Sequence, residues 1–118
     1  MNVRLIVPNC NRNTSPIVAY GPAIADIAGG FTATQGTGGW KDDQGNLVVE
    51  PVTVFDCDCT QAEVGNLGRY PGNCREQFRS LAKRIAVELN QDCVYLAIDN
   101  QVEFVKQPAK VEHANKWI

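Results

Sequence analysis

The sequence predicts an α+β domain of the ferredoxin-like kind, β-α-β-β-α-β, with an antiparallel sheet and two helices on one face. Three observations lead there. Phe78, Leu81, Ala82, Ile85, Ala86 and Leu89 repeat at the spacing of a single helical stripe. Several short runs on either side are rich in β-branched residues and end in turn-forming clusters. The order of these elements suits a split βαβ arrangement with right-handed crossovers, which leaves few competing topologies.

The first strand is "VRLIV", Val3 to Val7, closed by Pro8. A polar loop follows, and Ser15-Pro16 then offers an N-cap with proline in the first helical turn. Ile17, Tyr20, Ile24, Ile27 and Ala28 recur by threes and fours, while Gly21-Pro22 interrupts them. Because Pro22 lacks an amide proton and crowds the preceding turn, the expected helix is broken, firm after Pro22 and ended by Gly29-Gly30.

A hairpin comes next. "FTATQGTGGW" places Phe31, Ala33 and Gln35 on one face, "KDDQGN" turns the chain, and "LVVEPVTVFDC" returns. Pro51 has no amide to donate, so the returning strand is expected to be an edge or to carry a bulge. Residues 60–73 read as a long glycine-bearing loop, of the kind that is often functional. Asn73 and Glu76 are spaced as a capping box ahead of the second helix. "CVYLAI", a "DNQ" turn and "VEFV" complete the sheet, the last as an extra short strand. The single domain is expected over 1–105 and an unpatterned tail over 106–118, where Trp117 is a docking candidate.

At 118 residues and a net charge of −2, the chain has neither the length for two cores nor the basic face expected of a nucleic-acid binder. No apolar run is long enough to span a membrane, and the start lacks a cleavage site, so the expected location is cytoplasmic. The five cysteines, Cys10, Cys57, Cys59, Cys74 and Cys93, are an odd number without an export signal, which favours free thiols. Cys57, Cys59 and Cys74 are the tempting metal ligands. The C-x-x-C knuckle and a fourth ligand are missing, so neither metal nor cofactor is expected.

Catalytic signatures are sparse. Gly36, Gly38 and Gly39 match neither a phosphate-binding loop nor a dinucleotide fingerprint, and they read as glycines that bend a strand beneath Trp40. Asp42 and Asp43 sit in a turn, and Asp56 and Asp58 share a strand face with no third hard ligand. Glu50, just before Pro51, is expected in a structural ion pair. The one histidine, His113, lies in the tail, so no general base stands out and the chain is expected to be non-enzymatic.

Arg75, Arg79 and Lys83 step along one helix face near its N-terminus, where backbone dipoles favour anions. Arg69 offers a phosphate fork and Tyr70 a stacking ring in the preceding loop. The alternative for all of them is an ordinary solvated surface. The expected ligand site is therefore Arg69, Tyr70, Arg75, Arg79 and Trp40.

The segment "GGFTATQGTGGWKDDQGNLVVEP", followed after a helix by "LNQDCVYLAID", resembles a small, functionally uncharacterised bacterial and phage domain family. Its pattern is met at Gly30, Phe31, Thr32, Gly39, Trp40, Gly45, Leu47, Glu50, Gln91, Asp92 and Val94, and is closest to short phage-encoded versions. Loop 60–73 and the cysteines depart from it. The resemblance implies architecture first. By analogy with small phage accessory proteins it suggests a homo-oligomer that sequesters a small anionic nucleotide-like ligand, such as a host antiviral-defence signal, between subunits. The alternative is a protein–protein module, using an exposed edge strand or the tail, that inhibits or assembles with a host or phage protein.

Overall fold

The computed structural model describes residues 1–10, 13–59 and 72–108. In chain order the elements are β1 (Asn2–Pro8), α1 (Pro16–Ala28), β2 (Thr32–Lys41), β3 (Leu47–Asp58), α2 (Cys74–Glu88), β4 (Cys93–Ile98) and β5 (Gln101–Lys106). The sheet order is β2-β3-β1-β4-β5, antiparallel throughout, so the predicted ferredoxin-like layout is present with β5 added at one edge.

One face of the sheet makes the core. Val3, Leu5 and Val7 of β1, Phe55 and Cys57 of β3 and Val94, Leu96 and Ile98 of β4 point the same way and pack with Tyr20, Ile24 and Ile27 of α1. Phe78, Leu81, Ala82, Ile85 and Ala86 of α2 complete that cluster, as the stripe predicts. Asn73 and Glu76 form the expected capping box, each side chain accepting from the other residue's backbone N–H at 2.9 Å. Just before it, Gly72 holds φ +99°, and an added Cβ there would lie 2.6 Å from Glu76 Oε1. Gly72→Ala should therefore cost about 1–3 kcal/mol through left-handed strain and a disturbed cap, measurable as a lower unfolding midpoint.

Helix α1 is continuous through Pro22, which corrects the expected break. Ser15 caps it, its Oγ accepting from Val18 N at 3.3 Å, and Gly29 ends it in the left-handed region. The residue before the proline is Gly21, which has no Cβ to clash with the ring, so the helical conformation survives there. Packing of Tyr20, Gly21 and Ile24 on the core offsets the missing hydrogen bond.

β3 is also not an edge strand, since β2 and β1 flank it. Pro51 nevertheless sits where β3 becomes one-sided, because the β1 partnership stops at Pro8–Val52 and β2 alone continues beyond. Residues from Thr37 to Pro51 thus form a two-stranded ribbon that projects past the other strands. Its turn is anchored by Asp42, whose Oδ1 accepts from the amides of Gln44 and Asn46 at 2.9 Å. At the far edge, Asp99 and Asn100 both have positive φ, the conformation a two-residue hairpin between β4 and β5 requires.

The expectation of free thiols is corrected at one pair. Cys59 at the end of β3 is bonded to Cys74 at the start of α2, while Cys10, Cys57 and Cys93 are free. Both partners are core residues, brought together by packing that the sequence alone does not reveal. Denatured without reductant, the protein should alkylate at three cysteines, and at five after reduction. Closing a segment of this length stabilises by about 3 kcal/mol in the chain-entropy account.

Cys57 is held protonated. Burial and the flanking Asp56 and Asp58 push its thiol up to about 12. Its folded value thus exceeds the unfolded one, so its contribution is complete below about pH 9 and fades as pH rises towards 12. Unfolding scans across that range should show stability falling, with a shallower fall in Cys57→Ala.

Candidate functional site

The sheet face turned away from the helices carries the polar and aromatic groups that the core does not use. On β1 these are Asn2, Arg4 and Ile6, which alternate with the buried Val3, Leu5 and Val7. Arg4 lies opposite Asp56 of β3 and meets it as a fork, Nε to Oδ1 at 2.8 Å and Nη2 to Oδ2 at 3.1 Å. The bond to Asp56 and its negative charge push the Arg4 guanidinium further towards its charged form. Ile6 pairs with Tyr95 of β4, and the Tyr95 ring stands edge-on to Phe104 of β5 with centroids 5.8 Å apart. Phe104 is 60% exposed and Val102 on the same strand 52%.

The ribbon continues this face at the opposite edge. Trp40 pairs with Val48 and stays 45% exposed, and Glu50 pairs with Gly38. Val52 leans across Gly38, 3.0 Å from where a Cβ would stand, so the glycines keep the floor beside Glu50 low and apolar. The expected ion pair of Glu50 is not found among the described residues. Among the described residues its half-buried carboxylate has neither a salt bridge nor a hydrogen bond.

Trp40 and the α2 arginines lie at opposite edges of one chain, on β2 and beside β5. Within one chain they do not come together. Arg79 is engaged by Glu103 of β5, Nε to Oε1 at 3.0 Å and Nη2 to Oε2 at 2.9 Å. The N-terminus of α2 already holds the Glu76 carboxylate. Arg75 and Lys83 are exposed, while Arg69, Tyr70, His113 and Trp117 lie outside the described residues.

Sequence reasoning missed Arg4, Asp56, Tyr95 and Phe104 as a group. Of these only Asp56 was given a strand face, and only the strand register sets the four side by side.

Fold and open face together define a two-layered α+β protein, with both helices on one sheet face and the other face left uncovered among the described residues. A solved structure shares this architecture: a phage SAM lyase in complex with S-methyl-5'-thioadenosine, with a TM-score of 0.55 and 16% sequence identity. The likeness covers 90% of this chain and 81% of that one. It is a likeness of fold, and at that level the resemblance to phage proteins holds. No protein-family model and no curated protein matches the sequence. The likeness corrects the expectation of a non-enzymatic module, since the fold serves an enzyme in that protein. No helix among the described residues is long and apolar enough to cross a membrane.

Proposed function

We propose that the chain is a small phage-type enzyme that binds a nucleoside bearing a sulfur substituent and cleaves a carbon–sulfur bond, with its sites between copies of the chain. The carrying observation is the half-buried Glu50, unpartnered among the described residues, on a ribbon that also presents Trp40, within a fold like that of a phage SAM lyase. A carboxylate on a low apolar floor beside an aromatic ring is placed to accept a proton from a bound guest.

A sulfonium needs little help to leave. Its bonding pair stays on sulfur, a cation becomes a neutral thioether, and the protein supplies alignment, a dry wall and a carboxylate. Trp40 is the stacking ring for the nucleoside, and Glu50 takes a proton from the carbon next to the one bonded to sulfur, so that this C–H pair becomes a carbon–carbon double bond as the carbon–sulfur pair leaves on sulfur. Glu50 and Asp56 are six residues apart on β3, about 20 Å, so the ribbon of one copy and the Arg4–Asp56 face of the next flank one ligand.

Calorimetric titration with S-methyl-5'-thioadenosine tests binding. Saturable heat that Trp40→Ala weakens about tenfold is expected, in line with the loss of one stacked ring. Heat that Trp40→Ala leaves unchanged removes the ribbon from the site, and no heat with either the thioadenosine or S-adenosylmethionine overturns the reading.

A second reading, a module that holds a host or phage protein by strand addition, draws on β5. That strand has β4 on one side and no strand on the other among the described residues. Capture of one defined protein, lost with a proline at Glu103, would favour it.

A further inference from the structure

Resting on that reading, we propose that Arg4 and Asp56 form a subsite for a zwitterionic α-amino acid, the end of the ligand that a thioadenosine lacks. The two side chains stand on adjacent central strands of the uncovered face, a planar guanidinium fork held against a carboxylate. Half or more of Arg4 and a third of Asp56 remain open to solvent.

An exposed pair of this kind contributes little to folding, so the fold does not need these two charges where they are. Their geometry does suit a guest. An α-carboxylate takes the Arg4 fork in two parallel hydrogen bonds, and the neighbouring α-ammonium takes Asp56. Each member then exchanges one charged partner for another and neither is left bare. A guest with a single charge would strand one of the two, so the pair selects zwitterions. Thr32 lies opposite Asp56 on β2, and Tyr95, diagonal to Arg4, leads to the exposed ring of Phe104. Those rings give a bank for the aliphatic chain and for a sulfonium charge. The nucleoside end then points towards Trp40 and Glu50 of the adjoining copy.

The test compares three probes by titration: S-adenosylmethionine, which carries the amino acid, S-methyl-5'-thioadenosine, which does not, and L-methionine, which is the amino acid without the nucleoside. Arg4→Gln and Asp56→Asn should each weaken S-adenosylmethionine at least about tenfold, as loss of one side of a charge-assisted contact does. The thioadenosine should change by less than about twofold. Arg4→Lys should not restore the fork. Unchanged melting of both variants shows that folding is intact, as expected for an exposed pair.

Equal weakening of S-adenosylmethionine and the thioadenosine, or none of either, overturns the subsite and leaves the nucleoside reading standing. If the wild type binds neither nucleoside, the proposed function falls. L-methionine then decides the subsite alone: binding lost in Arg4→Gln upholds it, and no binding overturns it too.

Discussion

Glu50→Gln is expected to lower carbon–sulfur cleavage by about 100-fold or more while thioadenosine affinity stays within about threefold. Glutamine keeps the volume and removes the charge, so the ribbon and the stacking ring are preserved. Glu50 is half-buried opposite a glycine and has no hydrogen bond or salt bridge among the described residues. A merely structural carboxylate in that position would, when neutralised, raise stability slightly and leave turnover alone. Chromatographic product assays beside titration separate the two outcomes.

Phe78→Ala is expected to destabilise by about 3–5 kcal/mol, the usual range for truncating a fully buried aromatic. Phe78 has no exposed surface and packs within the one cluster that joins both helices to β1, β3 and β4. With total stabilities of about 5–15 kcal/mol, a large share of the stability margin is at stake. Leu81→Ala, in the same stripe, should cost about 2–5 kcal/mol. Denaturant titration reads both through the midpoint at constant slope. A loss below about 1 kcal/mol for either would mean that α2 is not the keystone of the core.

The fold was legible because its signals are local. The stripe of α2 needs only a count of threes and fours, and the Asn73–Glu76 cap is visible within four residues. Pro22 misled because the rule for proline in helices was applied without weighing the glycine before it. Pro51 was half-read: its missing donor does mark a change in pairing, yet at the base of a one-sided ribbon rather than along a sheet edge.

The site was harder to read because its parts meet through register. Arg4 and Asp56 are far apart in sequence and touch only because β1 and β3 pair in one alignment. The disulfide between Cys59 and Cys74 is equally non-local, set by the packing of α2 on the sheet. The expectation of no enzyme rested on a search for a histidine or a paired base. Breaking a bond to an already charged sulfur does not require that equipment, so a lone carboxylate was passed over as an ion-pair partner.

The most direct test is incubation of the purified chain with S-adenosylmethionine, followed by chromatographic detection of S-methyl-5'-thioadenosine over time. The account predicts accumulation proportional to protein, abolished to near background in Glu50→Gln at unchanged fold. No thioadenosine above the protein-free control, from wild-type protein of native melting behaviour, would contradict it.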